Sequence, residues 1–113
     1  MAGIVKKSLN QPEEVKIFEK TRAEFVTVGG IKFKRVTVEP GWQWSKHLKP
    51  VEGGSSCQRY HLLYVISGKL RVKTDDGKEE EYGPGDVGEI LPGHDGWNVG
   101  NKPLVWLEIL TQK

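Results

Sequence analysis

The sequence contains very little cysteine, with Cys57 as the single example among 113 residues. One cysteine excludes a disulfide within the chain, so nothing indicates an oxidising compartment. The N-terminus also lacks an apolar leader, and no run approaches the about 20 apolar residues that a membrane span requires. We therefore expect a soluble, cytoplasmic protein with no membrane partner.

An excess of charge of one sign is missing too. The 17 basic and 15 acidic residues leave a formal net charge of +2. This near balance produces no field strong enough to indicate nucleic-acid binding, so we expect no nucleic-acid partner.

Long apolar runs are absent, while glycine is abundant at 14 residues. Short apolar runs separated by glycines favour many short strands and turns over long helices. The length allows one domain. About nine or ten short strands are predicted, an arrangement typical of a sandwich or a closed barrel.

The chain divides into a polar N-terminal arm, residues 1–22, and a β-rich body, residues 23–113. Pro12, Glu13 and Glu14 suit the start of one short helical turn. An arm lying along a sheet edge or a neighbouring subunit explains the same residues equally well. Within the body, residues 42–48 (WQWSKHL) are predicted to be extended and residues 50–56 (PVEGGSS) to form a loop.

Two stretches carry the residues best suited to chemistry. Residues 57–68 (CQRYHLLYVISG) resemble a buried strand that runs into a turn. Side chains alternate between faces in an extended chain, so Cys57 and His61 are expected on one face. The second stretch, residues 85–100, contains His94. His61, His94 and the only cysteine lie in these two stretches, and we expect His61 and His94 to converge.

These stretches resemble the cupin superfamily over roughly residues 31–110. The first motif of that superfamily begins with a glycine and a histidine after five residues, which Gly41 and His47 match. It closes with an acidic residue and a glycine after six residues, where this chain has His61 and Gly68. Between these matches the chain is about eight residues longer than the motif.

The second motif is matched at Gly85 and Gly93. Leu91 stands at its first proline position and Gly96 at its histidine position, while His94 lies two residues earlier. The resemblance implies an all-β, cupin-type jelly roll, also described as a double-stranded β-helix barrel, that follows the N-terminal arm. It also implies a metal site inside the barrel.

The expected ligands are the four residues whose side chains suit a divalent transition metal: His61, Cys57, His94 and His47. Mixed nitrogen and sulfur ligation favours Zn or Fe, with Mn, Ni or Cu as further candidates. Simpler roles stay open for each residue. An imidazole can hydrogen-bond within a core or cap a loop, and an unpaired cysteine is often only a small buried side chain.

Further residues are expected around a substrate pocket: Trp44, Tyr64, Glu89, Asp95 and Trp97. The aromatic side chains either fill the barrel or stack on a flat organic ligand. Glu89 is expected to point inward as an additional acidic ligand. Asp95 either orients an imidazole or stabilises a turn.

Two classes of function remain open. In the first, the barrel is a metal-dependent enzyme; similar cupins catalyse oxygenation, isomerisation or decarboxylation of small organic acids, enols or sugars. In the second, it binds a small molecule or a metal without turnover, as a sensor or storage protein. Cys57 and His61 could also form a nucleophilic pair, but their inward direction suits ligation better. We expect a small-molecule ligand and a homodimer paired through an edge of the sheet.

Overall fold

The computed structural model describes residues 3–110, and antiparallel strands dominate them. The strands are β1 (Glu14–Phe18), β2 (Thr21–Val28), β3 (Ile31–Val38), β4 (His61–Ser67), β5 (Leu70–Thr74), β6 (Glu79–Tyr82), β7 (Val87–Ile90), β8 (His94–Asn98) and β9 (Leu104–Leu110). Two short helices, α1 (Trp44–His47) and α2 (Lys49–Glu52), lie between β3 and β4. The predicted all-β jelly roll is confirmed.

The strands form two sheets. The larger has the order β1-β2-β3-β9-β4-β7, and the smaller has the order β6-β5-β8. One apolar core contains residues from both sheets, including Val38 and Leu104 from the larger and Leu70 and Val72 from the smaller. In β9, residues 104, 106 and 108 are buried and alternate with more exposed ones. One face of the strand therefore contacts the core.

The turn after β4 brings the backbone of two strands unusually close together. Gly68 has φ +82°, and a Cβ added there would lie 2.6 Å from the Cα of Leu104. Only glycine satisfies both the backbone conformation and this approach. The turn therefore fixes the start of β9 against the end of β4.

Residues 44–47 form helix α1, so the predicted extended structure of residues 42–48 is wrong. The N–H of Leu48 donates to the carbonyl of Trp44, and Asp95 on the distant strand β8 accepts from the N–H of Ser45. This contact between distant segments overrides the local alternation of aromatic and polar residues. Helix α2 likewise occupies part of the predicted loop at residues 50–56.

The N-terminal region forms an edge of the larger sheet. Strand β1 pairs antiparallel with β2, from Glu14 opposite Phe25 to Phe18 opposite Thr21. Of the two interpretations of residues 1–22, the sheet edge is therefore correct and the helical turn is wrong. The division of the chain at residue 22 stays a prediction. Within residues 3–110, neither helix is long and apolar enough to cross a membrane.

Candidate metal centre

Three potential metal ligands meet inside the barrel: Cys57, His61 and His94. Their donor atoms all lie within 4.8 Å of one another. The imidazole centroids of His61 and His94 are 5.1 Å apart, and the Cys57 Sγ lies 3.7 Å from the His61 Nε2. The expected convergence of His61 and His94 is confirmed.

Backbone pairing holds these donors together across the two sheets. His61 opens β4 in the larger sheet, and His94 opens β8 in the smaller one. The N–H of Cys57 donates to the carbonyl of His94 at 2.7 Å, and the N–H of Gly93 donates to the carbonyl of Cys57 at 2.8 Å. These bonds position the segment before β4 against the start of β8.

Glu108 orients His61, although it belongs to neither motif. The Nδ1 of His61 donates to a Glu108 carboxylate oxygen at 2.9 Å, and the Nε1 of Trp106 donates to the other oxygen at 2.9 Å. Glu108 is 1% exposed. The available signal was an acidic residue in the apolar strand LVWLEIL, on the same face as Leu104 and Trp106.

A backbone carbonyl orients His94 in the same way. The Nδ1 of His94 lies 2.7 Å from the carbonyl oxygen of Leu91. A carbonyl only accepts hydrogen bonds, so the proton of a neutral His94 is on Nδ1. Its Nε2 therefore carries the lone pair that a metal requires.

Electrostatic interactions favour a charged Cys57–His61 pair. Burial alone raises the pKa of the Cys57 thiol, but the hydrogen bond from His61 is the largest of the opposing interactions, which together lower that pKa to about 6. Burial likewise disfavours a charged His61, yet hydrogen bonds with Cys57 and Glu108 raise its pKa to about 9. Burial would raise the pKa of Glu108, but its bond with His61 keeps that pKa below the usual range.

The three donors face a cavity of about 290 Å³ between the sheets. Trp42, Trp44 and Trp106 contribute to its wall. The predicted pocket residue Trp44 therefore does lie at the cavity, where its Nε1 donates to Glu52 at 3.0 Å. Within residues 3–110, the Trp42 Nε1 is the buried side-chain polar atom without a hydrogen-bond partner.

His47, the fourth expected ligand, lies outside this group. It lies on helix α1, where its Nδ1 accepts from the N–H of Gln43 at 3.0 Å. Its Nε2 lies 3.6 Å from a carboxylate oxygen of Glu19. The structure does not bring His47 to the other three donors, because the helix directs its imidazole elsewhere.

Two residues expected in the pocket lie instead on the outer surface. Tyr64 is 44% exposed. Glu89 is exposed as well and accepts a hydrogen bond from the Tyr60 hydroxyl at 2.7 Å. In β7, Gly88 and Ile90 face inward, whereas Val87 and Glu89 face outward. Glu89 therefore points away from the cavity, because neighbouring residues of a strand face opposite sides.

Asp95 and Trp97 alternate with the inward-facing residues of β8 and lie on its other side. Asp95 accepts from the Gln43 side chain at 2.8 Å and from the Ser45 N–H at 3.1 Å. It therefore stabilises the start of α1 instead of orienting an imidazole. Trp97 is half-buried beside Gln43, outside the cavity wall.

The donor set fits a transition-metal ion. Tetrahedral metal–nitrogen and metal–sulfur bonds of about 2.0–2.3 Å place the ligand atoms of one ion about 3.3–3.8 Å apart. The Cys57 Sγ and the His61 Nε2 already have this separation, at 3.7 Å, and all three donor atoms lie within 4.8 Å of one another. Three protein ligands and an adjoining cavity leave a coordination position open, as in catalytic sites.

Comparison with known proteins assigns the family. The cupin domain family matches residues 34–110. The chain is 40% identical over 80 residues to oxalate decarboxylase OxdC of Bacillus subtilis (strain 168), which corresponds to 66% of this chain and 19% of that protein. The chain therefore spans about a fifth of the length of this curated relative.

Two solved structures have the same fold. A sugar phosphate isomerase of the cupin superfamily from Silicibacter pomeroyi superposes with a TM-score of 0.68 at 21% identity, covering 96% of this chain and 76% of that one. The polyketide cyclase RemF from Streptomyces resistomycificus gives 0.67 at 16% identity, covering 94% and 78%. Fold and site together define a small antiparallel β-barrel with a candidate metal centre. The chain belongs to the cupin family.

Proposed function

We propose that this cupin binds one divalent transition metal through Cys57, His61 and His94, and acts as a metal-dependent enzyme on a small organic substrate. One observation carries this proposal. Both imidazoles have their Nδ1 fixed by an acceptor, so both Nε2 atoms face the buried Cys57 sulfur at the cavity wall, and the Nε2 of His61 becomes a ligand when it releases its proton.

The donor chemistry favours Zn or Fe, because thiolate is a soft ligand and imidazole suits both metals. Mn, Ni and Cu remain further candidates for the same set. When bound, such an ion would supply Lewis acidity for a substrate oxygen.

The residues of the chain would prepare the site for this role. Glu108 and the carbonyl of Leu91 hold the two imidazoles in the tautomer that ligates. The indoles of Trp42, Trp44 and Trp106 limit the water around a bound substrate. Decarboxylation of a small organic acid is the first reaction to test, since the relative with 40% identity is named an oxalate decarboxylase. Isomerase and oxygenase reactions are the next to test.

Metal analysis tests the binding step. Protein purified without chelators should contain about one transition-metal ion per chain, and the double variant Cys57→Ser/His61→Asn should contain none. His47→Asn is the matched control, because this imidazole lies outside the donor group, and it should retain the metal. Metal-free wild-type protein, or a double variant with unchanged metal content, would contradict the proposal.

Turnover separates an enzyme from a binding protein. Metal-loaded wild-type protein should release carbon dioxide from oxalate or a related small acid under air, and the double variant should not. A metal-loaded protein that turns over no member of a panel of acids, enols and sugars would instead support the sensor or storage function.

We also propose a homodimer in the cytoplasm. Tyr64, Ile66 and Val87 are 44%, 46% and 70% exposed on the outer face near the edge strand β7, and apolar edges of this kind are commonly covered by pairing. The free thiol of Cys57 suits a reducing compartment. Light scattering of the purified protein measures the oligomeric state directly.

A further inference from the structure

Strand β3 breaks the rule that core-facing positions are apolar. Residues 32, 34, 36 and 38 share one face, and Val36 and Val38 on that face belong to the core. The other two positions are Lys32 and Lys34, and both line the cavity. A lysine directed toward a core is costly unless its ammonium group has a partner, and such exceptions often mark functional positions.

The surrounding cavity wall carries an excess of positive charge. Lys16, Lys32, Lys34 and Arg59 line it, against the single carboxylate of Glu52. Three of the ammonium groups surround the ring of Phe25, with Nζ-to-centroid distances of 5.6 Å for Lys16, 4.9 Å for Lys32 and 5.7 Å for Lys34. Phe25 itself is buried, at 6% exposure. This part of the cavity combines an aromatic face with converging cations.

Most of these cations already have a carboxylate partner. Glu14 lies 3.2 Å from Lys32 and 4.0 Å from Lys16, while Glu52 lies 3.1 Å from Arg59. Within residues 3–110, Lys34 is the cavity-lining cation with no carboxylate oxygen within 4.0 Å of its Nζ. Burial lowers the pKa of Lys34, with repulsion from Arg59 and Lys16 acting in the same direction and attraction to Glu108 and Glu52 opposing it.

The strand register places Lys34 next to the candidate metal centre. Lys34 is directly opposite Glu108 on the neighbouring strand β9, and Glu108 holds His61. Residues directly opposite in an antiparallel pair have Cβ atoms about 4.5–5.5 Å apart. A small ligand that enters the cavity therefore meets Lys34 and the metal-binding histidines within one compartment.

We propose that Lys34 forms the anion-binding subsite of this cavity and that the natural ligand is a small organic carboxylate. The carboxylate of the ligand supplies the anionic partner that the Lys34 ammonium group lacks, and the flanking Lys16 and Lys32 add attraction at longer range. A cavity of about 290 Å³ limits the ligand to a small metabolite. The inference depends on the proposed function only in placing this ligand beside a metal.

Binding of three matched probes tests the subsite. Succinate, succinamate and succinamide have nearly the same shape but differ in charge. Their binding can be followed by quenching of tryptophan fluorescence, because three indoles line the cavity. Wild-type protein should bind succinate most tightly and succinamide least tightly, with added salt weakening only the charged probes.

Variants assign this preference to one side chain. Lys34→Met should weaken succinate binding about 10- to 100-fold, since hydrogen bonds to charged groups contribute this much, and should leave succinamide binding unchanged. Lys34→Arg should retain most of the affinity for succinate. Lys73→Met is the matched control, because Lys73 is an exposed lysine of strand β5, and it should bind all three probes like the wild type.

Thermal unfolding distinguishes a binding role from a structural one. Lys34→Met should have a higher Tm than the wild type, because a cation without a carboxylate partner is replaced by an apolar side chain facing the core. A lower Tm with equal loss of succinate and succinamide binding would overturn the inference. Unchanged succinate binding by Lys34→Met would overturn it as well, and tighter binding of inorganic phosphate than of succinate would overturn the carboxylate class.

Metal analysis of the same samples separates this inference from the proposed function. Lys34→Met should retain the wild-type metal content. If the wild type contains no metal but still prefers succinate through Lys34, the subsite stands and the metal proposal fails. If metal is bound but succinate binding is independent of Lys34, the metal proposal stands and the subsite proposal fails.

Discussion

The core near Leu104 and the site near Glu108 belong to the same strand, four residues apart, yet their surroundings differ sharply. Leu104, Val38 and Val65 are fully buried, and the turn at Gly68 packs closely against the backbone of Leu104. Glu108 is equally buried, but it lies beside charged groups and the cavity that contains the donors.

Within this small barrel, the residues that stabilise the fold and the residues of the candidate site lie at different ends of β9. Apolar contacts at the Leu104 end supply the burial that stabilises the fold. The Glu108 end holds side chains whose burial is costly unless they find partners. Variants at the two ends should therefore alter different measured quantities, and three predictions test this separation in decreasing order of effect.

Gly68→Ala should cause the largest loss, about 2–5 kcal/mol of unfolding free energy, because a left-handed backbone strain and an overlap with the next strand add together. The added Cβ would lie 2.6 Å from the Leu104 Cα and 2.7 Å from the Pro103 carbonyl oxygen. Urea denaturation measures the change.

Gly77→Ala is the control for this prediction, since Gly77 also has a positive φ, +95°, but has no heavy atom within 4 Å of the added Cβ. Its unfolding free energy should fall by only about 1–2 kcal/mol, the contribution of the backbone strain. Equal losses in the two variants would show that the tight closure over the core contributes nothing.

Glu108→Gln should weaken metal binding about 10- to 100-fold, because acceptors that orient a ligating histidine contribute this much to metal affinity. Competition with a fluorescent chelator measures the change. Glu24→Gln is the control: Glu24 is a buried carboxylate on the same sheet, 8% exposed, and pairs with Arg35 at 2.9 Å. Its loss should lower stability and leave metal affinity unchanged, and a matching decrease in the control would contradict the assigned role of Glu108.

Metal affinity should rise about tenfold per pH unit between pH 7 and 8.5, the smallest of the three effects. With the pKa of Cys57 at about 6 and that of His61 at about 9, the metal-free pair holds one proton in this range, as thiolate and imidazolium. Metal binding needs the thiolate and a neutral imidazole, so that proton must leave. Chelator competition at several pH values gives the slope, and His47→Asn should show the same slope. Affinity independent of pH would contradict the charged pair.

The fold was largely predictable, because its signals are local. Short β-rich runs, frequent glycines and the motif spacing around His61 and Gly68 all indicated an antiparallel barrel. The exception was residues 44–47, where alternating aromatic and polar residues predicted a strand. The Asp95 contacts that hold α1 come from strand β8, about fifty residues away, and no local pattern contains them.

The site was predictable in part. The spacing of Cys57 and His61 placed them on one face, and the convergence of His61 with His94 followed from the motifs. His47 lies apart from the donor group, because its direction depends on a helix that the sequence pattern did not predict. Glu89 was expected to face inward, but its neighbours Gly88 and Ile90 occupy the inward positions. A shift of one residue along a strand reverses the face of every side chain. Glu108 and Lys34 were missed, although both are charged residues on core-facing strand positions.

The sequence by itself determined the fold family, the strand that carries His61 and the small set of residues able to ligate a metal. The tertiary structure alone decided which of them meet, because Cys57, His61 and His94 converge only when β4 and β8 of different sheets come together. It also decided that Glu108 holds His61 and that Lys34 lies opposite Glu108. Side-chain alternation is a local property of each strand, whereas the distance between donor atoms depends on how the strands pair and the sheets pack.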